Sequence, residues 1–374
     1  MPSMSLSHKL KLFSNYIFDM RFKEIYNIFW VYLFWWNRRI SILLLNNFLP
    51  KIGVDLFPPF LEIEHTTVCP FKCKTCEHTY WEEPSLNMNF EKFKHIFNQF
   101  KNLKWIGLTG IGSSYSNPDF HKIVRYCKSK GTIVELMDHF ATFKNEDQIR
   151  ELLEIGPDFQ FISIYGATKE TSESVCIGSD FDKVIKNIKT FVRLKKEMKK
   201  RFPIINFHYI VNKNSKSELL QFLEFIHSLD TEIGEILVTP ILHDFKETKD
   251  YSVKLDKNYL DKVKEKAKRY KIPLTINWCA EQDASALVKK PDINNCKEYI
   301  MPFVFVSGHM SPCCGLNEAN QRELLKSNSP GNLFEKNIKE IWYSSKYKKI
   351  RRLIRENKFP KECALCPAYE KCKV

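Results

Sequence analysis

After Pro58-Pro59 the chain alternates short apolar runs with longer amphipathic stretches, and this alternation limits the folds open to it. Six runs read as strands: FLEIEHT (60–66), KWIGLTG (104–110), TIVELM (132–137), QFISIY (160–165), INFHYIV (205–211) and EILVTP (235–240). Each is short, rich in β-branched or aromatic residues, and bounded by turn residues. Between them lie NFEKFKHIFNQF (89–100), DFHKIVRYCKSK (119–130), EDQIRELLEI (146–155), FDKVIKNIKTFVRLKKEMKK (181–200) and KSELLQFLEFIHSL (216–229), with apolar residues at helical spacing. Strands alternating with helices predict βαβ units, a parallel sheet and right-handed crossovers. The expected class is α/β, a partial (βα)6 barrel of the TIM type, with functional residues at the C-terminal ends of the strands.

From about residue 280 the rhythm stops. A Lys289-Lys290-Pro291 turn leads to Cys296, then to a hairpin-like FVFVSGHMSPCC (303–314), a helical pattern at about 335–356, and a terminal KECALCPAYEKCKV. This reads as a small cysteine-rich α+β domain with too few apolar residues for a core of its own, which is where metal clips help. The expected organisation is an N-terminal helical segment (1–58), the barrel (59–285) and the cysteine-rich domain (286–374).

The N-terminal segment carries IFWVYLFWW (28–36), then Asn37-Arg38-Arg39, then ISILLL (40–45). A spanning helix needs about 20 apolar residues, and the arginine pair would be costly inside a bilayer. Two readings stay open. The segment is either a pair of helices packed on the main domain or an interfacial anchor over residues 20–51, with Arg38, Arg39 and Lys51 facing anionic lipid. The formal charge of +14 over 374 residues suits a nucleic acid, an anionic membrane, an acidic substrate or simply a Lys-rich composition. No Arg-rich tract or RNA-binding motif points to a specific nucleic-acid partner. The first fifteen residues are polar and basic, without an apolar h-region or a cleavage site, so a cytoplasmic protein with reduced thiols is expected.

Reduced thiols that cluster are usually metal ligands, and the twelve cysteines do cluster. VCPFKCKTC (68–76) places Cys69, Cys73 and Cys76 just after the first strand. Thiolates two or three residues apart can curl around one cubane, each meeting a different iron. Zinc with His78 as fourth ligand is the alternative, although its usual paired hooks are incomplete here. Cys127, Cys176 and Cys279 stand alone and read as small buried apolar residues. His309, near the hairpin tip, reads as structural or solvated.

The C-x3-C-x2-C spacing at the end of the first strand of a (βα) repeat resembles the radical S-adenosylmethionine enzymes. The resemblance implies a [4Fe-4S] cluster on Cys69, Cys73 and Cys76 whose fourth iron chelates S-adenosylmethionine. One electron from the cluster then cleaves the sulfonium, and the resulting 5′-deoxyadenosyl radical abstracts hydrogen from substrate. An external reductant such as ferredoxin or flavodoxin is implied. LTGIGSSYSNPDF (108–120) is similar to the family's stretch after the second strand. Gly110 and Gly112 would let the backbone approach the methionine amino group, while Ser113 stands where the family often has Glu. Ser163 in ISIYGATKETSE (162–173) and Asn212 in YIVNKNS (209–215) fall where relatives contact the cofactor. Thr75 departs from the aromatic residue often found before the last cysteine, leaving Phe71 and Tyr80 as candidates for the adenine platform.

C-x11-G-x4-C (Cys296, Gly308, Cys313) and C-x2-C-x5-C (Cys363, Cys366, Cys372), with GNLFEKNIKEIW (331–342) between them, resemble the SPASM domain. The later ligands of a full SPASM domain are absent, so a shortened, twitch-like form with one auxiliary [4Fe-4S] cluster fits. Its ligands would be Cys296, Cys313, Cys363 and Cys366, with Cys314 and Cys372 as rivals and an all-cysteine zinc site as the alternative. Substrates implied by the resemblance are peptides and small alcohols, and the N-terminal segment adds membrane lipids. A non-catalytic binding protein stabilised by zinc or a cluster is the contrasting reading.

Overall fold

The computed structural model describes residues 6–53, 55–80, 82–239, 246–251, 253, 255–276, 301–314, 322–356 and 358. The strands are β1 (Phe60–Glu64), β2 (Lys72–Cys73), β3 (Trp105–Thr109), β4 (Ile133–Asp138), β5 (Phe159–Ile164), β6 (Cys176–Ile177), β7 (Ile204–Ile210), β8 (Ile233–Thr239), β9 (Leu274–Ile276), β10 (Phe303–Val304) and β11 (Met310–Ser311). The helices are α1 (Leu6–Phe18), α2 (Phe22–Trp36), α3 (Arg38–Leu43), α4 (Leu49–Lys51), α5 (Phe90–Gln99), α6 (Phe120–Ser129), α7 (Glu146–Ile155), α8 (Lys169–Val175), α9 (Phe181–Glu197), α10 (Leu219–Ser228), α11 (Lys257–Arg269), α12 (Arg322–Asn328), α13 (Ile338–Trp342) and α14 (Ser345–Arg355). A π-helical turn, Leu44–Phe48, joins α3 to α4.

Nine strands form one sheet in the order β11-β10-β1-β3-β4-β5-β7-β8-β9, while β2 and β6 form a separate two-stranded ribbon. β1 pairs in parallel with β3 and β10, β5 with β4 and β7, and β8 with β7 and β9; within this sheet the β10–β11 hairpin is antiparallel. The six expected strands are all present, and the α/β class with a partial barrel holds. The short β9 is an addition, and the helix expected at about 335–356 is two helices, because Ser344 caps a new start by accepting from the Tyr347 N–H.

Contacts divide the chain into two compact units, and β4 runs through their boundary. The first unit comprises residues 1–21, 69–80 and 135–288. Its sheet follows from the alternation of β7. Ile205, Phe207 and Tyr209 point one way, and the two rings meet Phe222 of α10 at centroid distances of 5.7 and 5.0 Å. The opposite face carries Asn206 and His208, with Glu235 and Thr239 alongside on β8, all buried. A layered parallel sheet is apolar on both faces; here one face of β7 and β8 is polar and buried. There His208 Nε2 meets Thr239 Oγ1 at 2.7 Å, and the Thr275 hydroxyl donates to Glu235 at 3.1 Å. Helix starts are capped by Asn145, Thr168, Asp180 and Asp256, each accepting a backbone N–H.

The second unit comprises residues 22–68, 81–134 and 289–374. Gln99 of α5 donates to the Leu333 carbonyl and accepts from the Ile338 N–H, both at 2.9 Å. Arg351 of α14 is buried with its guanidinium over Trp342 (3.8 Å) and Tyr347 (4.8 Å), and its Nε donates to Asn46 at 2.7 Å. Asn337 and Glu340 form a capping box at α13.

In the first unit, the wholly buried Asp158 carboxylate accepts from Arg21 at 3.0 Å. Arg21→Ala is expected to cost about 1.5–3 kcal/mol, the range for a hydrogen bond to a charged group. Arg21→Lys should recover only part of that loss, because the planar fork is missing. Denaturant unfolding of the three proteins checks this, and an unmoved midpoint in Arg21→Ala refutes it.

Candidate metal centre

Where β1 ends, the backbone leaves the ladder while still buried, and each polar group needs a new partner. In the second unit these partners come from two other segments. The Thr67 N–H donates to the Leu86 carbonyl (2.9 Å), the Leu86 N–H to Thr67 Oγ1 (2.8 Å) and the Val68 N–H to Thr66 Oγ1 (3.0 Å). Asn117 Nδ2 donates to the carbonyls of His65 (2.8 Å) and Met88 (3.0 Å), and Asn117 Oδ1 accepts from the Asp119 N–H. Asp119 in turn accepts from the Phe90 N–H at the start of α5. The Asn117-Pro118-Asp119-Phe120 motif therefore acts as a staple. His65 lies inside it, stacked on Phe120, with its pKa pushed down to about 3 by burial.

The glycine-rich loop is part of the same structure. Gly110 has φ +129°, and a Cβ there would lie 2.6 Å from Cγ of the buried Glu64. A Cβ on Gly112 would lie 2.5 Å from the Thr66 carbonyl oxygen. Ser113, buried, donates its N–H to the Val68 carbonyl at 2.9 Å. Glu64 Oε1 accepts from the Val306 N–H at 3.2 Å.

The cysteine triplet belongs to the first unit. Cys73 is on β2, and the ladder pairs it directly with Cys176 of β6. The Lys74 N–H donates to the Val175 carbonyl (2.9 Å), the Cys76 N–H to the Cys73 carbonyl (3.0 Å) and the Thr79 hydroxyl to that same carbonyl (2.5 Å). Tyr80 donates its hydroxyl to the Lys74 carbonyl at 3.2 Å. Cys73 is buried, Cys69 and Cys76 are half-buried. Burial pushes Cys69 up to about 11 and raises Cys76 as well. The contact with Cys176 raises Cys73, and burial adds to it. A bound cationic centre supplies the charge that turns buried thiols into thiolates, so the donor set fits an iron-sulfur cluster. Among the described residues, no three His, Cys, Asp or Glu side chains are gathered around a single metal ion.

Ser163 is buried on β5, paired in register with His208. Asn212 is wholly buried. Its Nδ2 donates to the Tyr165 carbonyl (3.1 Å), and its Oδ1 accepts from the N–H groups of Asn214 and Ser215. Phe71 packs edge-on to His139 at 5.8 Å. Three residues near the triplet were not singled out for this role by spacing: Cys176, whose Sγ lies 3.1 Å from Cys73 Sγ, His139 and Tyr165. Glu218, which accepts from the Ala167 N–H and from the hydroxyls of Thr168 and Thr171, was also missed. The paired threonines of GATKET were the available signal for it.

In the second unit, Cys313 and Cys314 are half-buried against Phe303, Phe305 and Leu325. His309 Nδ1 lies 3.1 Å from Ser307 Oγ, consistent with a structural role at the hairpin. Cys279, Cys296, Cys363, Cys366 and Cys372 lie outside the described residues.

A family model described as the radical SAM superfamily matches residues 63–226, and one described as an iron-sulfur cluster-binding domain, SPASM, matches residues 296–367. The chain carries a radical SAM domain and a SPASM domain. It is an enzyme that uses S-adenosylmethionine and a [4Fe-4S] cluster. A tungsten-containing aldehyde ferredoxin oxidoreductase cofactor-modifying protein of Pyrococcus furiosus is 23% identical over 328 residues, covering 84% of this chain and 88% of the relative. Streptococcus suis SuiB bound to S-adenosylmethionine matches with a TM-score of 0.64 at 16% identity, covering 87% of this chain and 80% of that one. SuiB bound to precursor peptide SuiA gives 0.62 at 17% identity, covering 87% and 73%. At these identities the likeness to SuiB establishes the fold.

Asn117→Ala removes two buried donors and one acceptor, and is expected to destabilise by about 1–3 kcal/mol. Asn117→Asp should cost more, because a carboxylate would then face the His65 and Met88 carbonyls. Thermal unfolding of both variants checks the order, and Asp above Ala in stability refutes the staple.

Proposed function

We propose that Cys69, Cys73 and Cys76 hold the S-adenosylmethionine-binding cluster and that the substrate is a peptide. The observation that carries the first part is the clamped loop, in which the β2–β6 ribbon holds Cys73 and a turn holds Cys76. The fold shared with SuiB bound to precursor peptide SuiA supports the second. A small molecule is the alternative, supported by the cofactor-modifying relative, and a membrane lipid is a third class. The group, when bound, supplies one-electron chemistry that generates a hydrogen-abstracting radical. The β2–β6 ribbon and the turn at Cys76 hold the cysteine loop, and Gly110, Gly112, Ser113, Ser163 and Asn212 are the residues assigned to cofactor contact. An external one-electron reductant such as ferredoxin or flavodoxin completes the system.

The proposed organisation is a helical segment (1–58), the radical core (59–285) and a twitch-like auxiliary domain (286–374). Its one [4Fe-4S] cluster would use Cys296, Cys313, Cys363 and Cys366, or Cys372, in preference to zinc. Anaerobic reconstitution is expected to give about eight irons per chain, two cubanes. Alanine at Cys69, Cys73 or Cys76 should remove about four of them and abolish 5′-deoxyadenosine formation, while Cys127→Ala keeps both. Zinc with no cleavage would leave the non-catalytic reading.

A peripheral position on the cytoplasmic membrane face is favoured by a specific observation. α2 exposes Phe22, Tyr26, Phe29 and Leu33, one stripe at helical spacing, while Glu24, Asn27 and Val31 are buried on the other side. Ile40, Leu43, Leu44, Phe48 and Ile52 are exposed further along. Residues 22–52 carry four basic side chains and one acid, which suits anionic lipid. No described helix is long and apolar enough to cross a membrane. The full chain is expected to float with vesicles containing phosphatidylserine and far less with neutral ones. Phe22→Glu with Phe29→Glu should abolish flotation. Equal recovery of the variant and the unmodified chain rejects the membrane reading, as does a stable dimer that the same substitutions dissociate.

A further inference from the structure

Cys176 is a lone cysteine in the sequence, yet its side chain touches a proposed cluster ligand. The ladder sets Cys73 and Cys176 directly opposite, with sulfurs 3.1 Å apart. Cys176 is wholly buried and held from three sides. The ribbon fixes its backbone, and the turn through Gly178 (φ +86°) closes with the Ser179 N–H donating to the Cys176 carbonyl at 3.1 Å. His139 Nδ1 lies 4.0 Å from its sulfur. That ring is wedged edge-on between Phe71 (5.8 Å) and Tyr165 (5.4 Å). Cys176 therefore has little freedom to move away.

Two thiolates on different irons of a cubane cap different corners and are not in contact. Sulfurs this close do not both belong to the cluster. A Cys73 thiolate bound to iron can only accept a hydrogen bond, so the hydrogen between the two sulfurs comes from Cys176. Hydrogen bonds to the sulfurs of a cluster offset its negative charge and raise its reduction potential.

We propose that Cys176 is a positioning residue for the radical chemistry: it donates its S–H to the Cys73 thiolate and raises the reduction potential of the cluster. His139 orients the thiol from behind. The inference rests on Cys73 being a ligand, as proposed above.

The test is a potentiometric titration of reconstituted full-length protein followed by electron paramagnetic resonance, tracking the signal that changes on adding S-adenosylmethionine. Cys176→Ala removes the donor, and Cys176→Ser keeps a hydroxyl in its place. Both variants are expected to keep their full iron content. The alanine variant should titrate at a more negative potential and the serine variant between it and the unmodified protein. An unmoved potential in Cys176→Ala overturns the proposal. So does the loss of about four irons in both variants, which would make Cys176 a ligand or a folding requirement. Cys73→Ala is the control. If it retained the cluster, the ligand assignment itself would fail, an outcome distinct from an unmoved potential.

Discussion

The end of β1 is the point on which the loops of the second unit depend. From His65 to Thr67 the chain is buried but no longer in the sheet, and an unpaired polar group there would cost about 1–3 kcal/mol. Within its unit, these groups draw in residues 86–88 and the loop after β3. Once Asn117 has bridged the His65 and Met88 carbonyls, little room remains beside Thr66, and the approach tolerates only glycine at position 112. The cysteine triplet begins two residues after this stretch, at Cys69.

The triplet solves a different problem. Eight residues cannot bury three thiols by themselves, so the loop borrows structure from far along the chain. β6 lies 103 positions from Cys73 and supplies both a ladder and a sulfur contact. Were Cys69, Cys73 and Cys76 the cluster ligands, loading would exchange their protons for iron and so couple to proton release. The Lys74, Cys76 and Thr79 hydrogen bonds of this loop are all made by the protein itself.

Most of the fold was legible from local pattern. The six strand runs and the helices between them carried their own periodicity and turn residues, and Cys69, Cys73 and Cys76 carried their own spacing. What could not be read was set by distant pairing. β9 is three half-buried residues without alternation. Cys176 sits in a two-residue strand, too short for any pattern, and its importance appears only when Cys73 is placed opposite. The loop roles of Asn117 and Glu218 were hidden for the same reason: each satisfies backbone or hydroxyl groups whose burial depends on the tertiary fold. Asn117 was noticed through a motif, but the motif did not reveal that it serves as a staple.

The N-terminal helices show how a segment can be legible in composition and ambiguous in orientation. The run at 28–36 is apolar all round, so periodicity alone could not say which side meets protein. The answer comes from the end of α6, whose last carbonyls have no partner within the helix. Lys23 donates to the Lys130 carbonyl at 2.5 Å, Asn27 to the Gly131 carbonyl at 2.9 Å, and Glu24 pairs with Lys128 at 3.0 Å. The polar residues of α2 are therefore committed inward, and the aromatic stripe is left outward. α2 is thus attached through these polar groups together with the wholly buried Val31. Phe22, Phe29 and Leu33 stay exposed on the opposite side, so burial of a helix's apolar face against protein accounts for Val31 and not for them.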